Sequence, residues 1–124
     1  MSNKDTAMEN LLVEAVVEGI RDNKGHNIAI LDMRGLDGAS ADYFVICDGN
    51  STTQVDSIAN AIEDRTREDA GEKPAHIEGR ANAEWILLDY HDVVAHVFLR
   101  PQREFYDLEG LWQDAKRTDL PDDI

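Results

Sequence analysis

Apolar residues in this chain change their spacing along its length, and that change sets the fold class. Met8, Leu11, Leu12, Ala15, Val16, Gly19 and Ile20 recur at helical intervals until Asn23-Lys24-Gly25 stops them. Thr6 and Glu9, ahead of most of this stripe, have the spacing of a capping box. Residues 27–32 and 42–47 are instead short, apolar and rich in β-branched side chains, as mostly buried strands are, with Gly35-Leu36-Asp37-Gly38 as a loop between them. The helical period returns at Val55, Ile58, Ala59 and Ile62, behind a second capping box made by Ser51 and Gln54, and Gly71 should end that helix.

After Pro74, residues 75–79 have the make-up of a short edge strand. Residues 83–89 and 93–99 are two further apolar strands joined through a tight turn at Tyr90-His91. Pro101 has no N–H for a sheet ladder but suits the first turn of a helix, so residues 102–106 should coil, with a second short turn at 108–112. The order α-β-β-α-β-β-β-α describes an α/β (α+β) domain with a mixed central sheet of about five strands flanked by helices. At 124 residues there is room for one such domain, expected over residues 1–115, followed by a loose acidic tail at 116–124.

The chain carries 12 Lys plus Arg against 26 Asp plus Glu, a formal net charge of −14 that disfavours phosphate backbones and anionic membranes. A basic protein partner suits it better, and no sequence-specific nucleic-acid contact is expected. The first residues have neither an apolar stretch nor an Arg-rich presequence character, and no apolar run could span a bilayer, so a cytoplasmic location is expected. The single Cys47, inside Tyr43-Phe44-Val45-Ile46-Cys47, reads as a small buried hydrophobe.

Tests for catalysis find little. His26, His76, His91 and His96 lack metal-ligand spacing, and His96, in mid-strand, reads as an interior or sheet-surface histidine. Gly35-x-x-Gly38 lacks the further glycine of a dinucleotide fingerprint. A strand, Gly49-Asn50-Ser51 and a helix N-terminus resemble the turn by which nucleotidyltransferases hold a triphosphate. Those enzymes also place two carboxylates at i, i+2 on one strand to share magnesium, whereas Asp89 and Asp92 are three apart across a turn. No catalytic residue, metal or cofactor is expected.

Several stretches taken together resemble the Iojap/RsfS family. They are Asp42-Tyr43-Phe44-Val45-Ile46-Cys47 with Gly49-Asn50-Ser51-Thr52, then Glu78-Gly79, Trp85-Ile86-Leu87-Leu88-Asp89-Tyr90 and Asp92-Val93-Val94-Ala95-His96-Val97-Phe98. Arg103-Glu104-Phe105-Tyr106-Asp107-Leu108-Glu109 and Leu111-Trp112 complete the series in the family's order. The resemblance implies a nucleotidyltransferase-like fold without the catalytic carboxylates, and a non-catalytic ribosome-silencing role. It implies binding to the large ribosomal subunit through its basic ribosomal protein L-fourteen, steric obstruction of small-subunit joining, and a homodimer when free. It also implies partner-binding roles for Trp85, Asp89, Tyr90 and Asp92.

Strand alternation puts Trp85, Leu87 and Asp89 on one face and Glu84, Ile86 and Leu88 on the other, so part of this run must be core. His91 stands where the family has glycine, at a turn position where positive φ costs a residue with a Cβ about 1 kcal/mol. Two rival roles remain at this level: a large-subunit assembly factor, and a nucleotide-binding or nucleotidyltransferase-type enzyme.

Overall fold

The computed structural model describes residues 10–122. The expected Thr6–Glu9 capping box lies outside them. Helix α1 (Leu11–Asp22) is capped by Asn10, whose side chain accepts from the amides of Leu12 and Val13 at 3.0 and 3.1 Å. Val13, Val16, Val17 and Ile20, at i, i+3, i+4 and i+7, form its buried stripe. Strands β1 (His26–Asp32) and β2 (Tyr43–Gly49) come next as an antiparallel pair.

Helix α2 (Thr52–Ala70) starts on the capping box that the sequence announces. Ser51 Oγ accepts from the Gln54 amide at 3.1 Å, while Gln54 Oε1 accepts from the Asn50 amide at 2.7 Å. It ends at Gly71, whose left-handed φ of 66° carries no Cβ penalty. Val55, Ile58, Ala59 and Ile62 are fully buried against α1 and the sheet.

The remaining elements are β3 (His76–Glu78), β4 (Trp85–Asp89), β5 (Val93–Leu99), α3 (Arg100–Tyr106), α4 (Leu108–Leu111) and β6 (Lys116–Asp119). The sheet order is β3-β4-β5-β2-β1-β6, with β2 and β5 parallel and every other pair antiparallel. The parallel pair sits at the centre, where both faces are covered, and this explains the dense apolar composition of those two strands.

Two cores result. On one face Ile28, Ile30, Val45, Cys47, Ile86, Leu88, Ala95 and Val97 pack under α1 and α2. On the other, Leu31, Met33, Ile46 and Phe98 form a smaller core, covered by Trp85, Phe44, Leu108 and Trp112 rather than by a long helix. Among the described residues no helix is long and apolar enough to cross a membrane.

One expectation is corrected. Lys116–Asp119, read as the start of a loose tail, is a sixth strand, with Arg117 opposite Leu31 and Asp119 opposite Ala29. Its side chains are exposed, and its backbone pairing with β1 holds it, together with an Arg117–Glu109 ion pair at 3.5 Å and two contacts just past its end. The Leu120 amide donates to the Ile28 carbonyl at 2.9 Å, and the Asp122 carboxylate accepts from the Asn27 amide at 2.9 Å. An all-polar strand at a sheet edge needs no apolar signature.

Candidate partner-binding face

The sheet face away from α1 and α2 carries the candidate site. Register places Trp85, Leu87 and Asp89 of β4 beside Phe98, His96 and Val94 of β5, and next to them Asp48, Ile46 and Phe44 of β2. Burial along β4 alternates as strand geometry requires: Ile86 and Leu88 are fully buried, whereas Trp85, Leu87 and Asp89 are partly exposed.

Trp85 is the centre of an aromatic array. Its ring stacks on Phe98 at 4.8 Å and meets Tyr106 at 4.9 Å and His96 at 5.9 Å. The array continues from His96 to Phe44 at 4.6 Å and from Phe44 to Trp112 at 6.3 Å, both edge to face. The indole Nε1 of Trp85 donates to His96 Nδ1 at 3.1 Å, which fixes the proton of the neutral imidazole on Nε2. Burial makes the charged form costly and lowers the His96 pKa to about 3, with the nearby Asp89 carboxylate acting weakly the other way.

Beside this array α3 and α4 present apolar side chains to solvent: Phe105 is 80% exposed, Leu111 73% and Tyr106 51%. An ionic cluster holds these two short helices in place. Asp48, 2% exposed at the end of β2, accepts from Arg100 Nε at 3.0 Å, Arg103 Nη1 at 3.1 Å and Asn27 Nδ2 at 3.1 Å. Arg103 also donates to Glu109 Oε2 through Nη2 at 2.6 Å, tying α3 to α4. Burial opposes the Arg103 cation, but its bonds to Glu109 and Asp48 outweigh burial and raise its pKa.

The four residues singled out from the sequence separate here. Trp85 and Asp89 share the open face, and Asp89 Oδ1 also accepts from the His91 amide at 2.7 Å, bracing the turn. Tyr90 turns the opposite way: it is 6% exposed within the helix-side core, its hydroxyl 2.9 Å from Thr66 Oγ1, so it supports the turn from inside. Burial raises its pKa. Asp92 is exposed beyond the turn and lines a cleft with Leu11, Leu12 and Glu72 on the helix side.

His91 takes φ 73°, the left-handed conformation expected of that position. Gly79 of the Glu78-Gly79 motif has φ 92° and lies against the Trp85 carbonyl, with no space for a Cβ, so it sets the approach of the β3–β4 loop to Trp85.

Sequence reasoning missed Phe44, Phe98, Phe105 and Leu111 as parts of this face. Their alternation marks Phe44 and Phe98 as facing one way, but which way depends on strand pairing. Asp89 and Asp92 do not meet as a pair, and among the described residues no group of three His, Cys, Asp or Glu side chains could hold a metal ion.

The chain matches the family model for ribosomal silencing factor during starvation over residues 4–124. It is 37% identical over 120 residues to the ribosomal silencing factor RsfS of Halalkalibacterium halodurans, covering 97% of this chain and 96% of that one. It is 28% identical over 105 residues to the mouse protein named mitochondrial assembly of ribosomal large subunit protein 1, covering 81% of this chain and 44% of that one. In three dimensions it is similar to the crystal structure of a Chromobacterium violaceum protein, with a TM-score of 0.79, 33% identity and 87% of each chain covered. The chain therefore belongs to the ribosomal silencing factor (RsfS) family.

Proposed function

We propose that this chain docks on the large ribosomal subunit through ribosomal protein L-fourteen and lowers translation by occupying space that the small subunit needs. The observation that carries this reading is the open sheet face: a partly exposed tryptophan locked by a buried histidine, flanked by exposed aromatic and aliphatic side chains and by acids. A rigid aromatic anchor with acceptors around it is the usual composition of a binding hot spot, and the acids favour a basic partner. Family membership supplies the ribosome as the target.

In this reading Trp85 is the apolar anchor and Asp89 accepts from Lys or Arg of the partner. Asp92 lies at the rim, and Tyr90 holds the turn. No bond is made or broken, so the role is regulatory and needs no cofactor. The same exposed face supports a homodimer of the free chain, which must open before docking. The action is placed in the cytoplasm, where ribosomal subunits join.

The test is binding to isolated ribosomal protein L-fourteen by calorimetry. Trp85→Ala should weaken binding about 30-fold or more, the loss of a hot-spot anchor. Charge reversal by Asp89→Arg should weaken it too, while Asp64→Asn on the far side of α2 should not. Equal affinities for all four proteins would reject this face as the site.

A second reading is favoured by the mouse relative's name: an assembly factor acting on large-subunit precursors. It predicts preferential association with immature large-subunit particles and no reduction in subunit joining.

A further inference from the structure

A cleft of about 430 Å³ lies between the loop after β1 and α4, lined by Gly35, Leu36, Asp37, Leu111, Trp112 and Asp114. Leu36 and Trp112 pack on the second core and form its floor, and Leu111 stands 73% exposed at its side. Asp37 and Asp114 are exposed at the cleft. Their carboxylates differ from those of three neighbouring acids that are already paired. Asp32 is held by Arg34, Asp48 by Arg100 and Arg103, and Glu109 by Arg103 and Arg117. Asp37 and Asp114 have no hydrogen bond or ion pair among the described residues; Arg34, the basic side chain nearest Asp37 in sequence, is committed to Asp32, and Lys116, two residues from Asp114, lies opposite Asp32 in the β1–β6 pairing.

We infer that this cleft receives an arginine side chain of a protein partner. Its walls suit both halves of that side chain. The methylene stem can lie along Leu36 and Leu111, and the planar guanidinium can stack on the Trp112 indole while it donates to one or both free carboxylates. Arginine fits better than lysine because its flat, weakly hydrated cation stacks on an aromatic face and spans two acceptors. A purely apolar occupant would leave the two carboxylates facing it without donors.

The cleft is linked to the docking face through packed rings, since the Trp112 ring meets Phe44, which meets His96 and through it Trp85. The inference rests on the docking reading only for the identity of the protein that supplies the arginine. The chemistry of the cleft stands apart from it.

The experiment is a titration of the full chain with N-acetyl-arginine amide at low salt, followed by the indole N–H signals in a proton–nitrogen NMR spectrum. The chain has two tryptophans, so Trp85 serves as the internal reference for Trp112. A saturable shift of the Trp112 signal is expected, with little change at Trp85. The Asp37→Asn/Asp114→Asn double variant should weaken this binding about fivefold while the Trp85 signal stays where it was, showing an intact fold. Three results would overturn the inference: no shift at Trp112, an undiminished shift in the double variant, or an equal shift produced by calcium chloride at the same ionic strength. Binding of the wild-type chain to large subunits is scored separately, so loss of the docking reading and loss of the arginine cleft are distinct outcomes.

Discussion

The Trp85 indole is held by His96, whose Nδ1 accepts its N–H at 3.1 Å from within the sheet face. An exposed tryptophan ordinarily samples several rotamers, and fixing it before binding removes that ordering cost from the association. The histidine can serve as acceptor only while neutral on Nδ1, which makes the geometry of the proposed docking face sensitive to acid.

That sensitivity has a sign. The His96 pKa is lowered by burial to about 3, whereas an exposed histidine titrates near 6.5. Between these values the unfolded chain binds a proton that the folded chain refuses. The histidine's contribution is therefore fully present above about pH 6.5 and is lost as pH falls toward 3, by up to about 1.4 kcal/mol per pH unit. His96→Asn keeps an acceptor near the Nδ1 position and removes the titration. Urea melts at several pH values should show a shallower loss of stability for the variant across this window. Parallel curves would reject the assignment.

Asp48 joins Arg100, Arg103 and Asn27 at the end of β2 while only 2% exposed. Asp48→Ala leaves the buried Arg103 cation with Glu109 as its one remaining carboxylate and the Asn27 carbonyl as its other acceptor, and removing one member of a buried ion pair costs about 3–5 kcal/mol. Chemical denaturation should show this loss. A change below about 1 kcal/mol, the range of a surface ion pair, would mean the cluster does not clamp α3.

His91 occupies a left-handed position at φ 73°. His91→Gly should raise stability by up to about 1 kcal/mol, because the Cβ penalty disappears while the bond from the residue 91 amide to Asp89 is retained. A measured decrease would show that the imidazole contributes contacts that outweigh the backbone cost.

Cys47 is fully buried, and burial raises its thiol pKa above the ordinary value. A thiol reagent such as an aromatic disulfide should label the native protein only as fast as it opens, and label it at once in denaturant. Immediate labelling under native conditions would place Cys47 at an accessible surface.

The parts of the fold visible in the sequence are those written in local chemistry. Ser51 with Gln54, Gly71 and Pro101 act within a few residues, so the bounds of α2 could be read directly and the existence of α3 too, although α3 starts at Arg100, two residues before the expected 102. The alternation of Trp85, Leu87 and Asp89 against Ile86 and Leu88 likewise comes from strand geometry alone. Strand β6 was hidden because its four polar residues pair with β1, a partner distant in the chain, through backbone groups that every residue possesses. The inward direction of Tyr90 was hidden for a related reason: it depends on Thr66, on another element. The aromatic face joins Phe44, Trp85, His96 and Trp112 only after β2, β4 and β5 have paired, so its members could be named singly but not assembled.

The most direct test of the docking account is sedimentation of the protein with purified large subunits, small subunits and both together. The account predicts that the wild-type chain travels with large subunits and shrinks the joined-ribosome peak, and that Trp85→Ala remains near the top of the gradient and leaves joining intact. A wild-type chain that stays at the top at low salt in every mixture would contradict it.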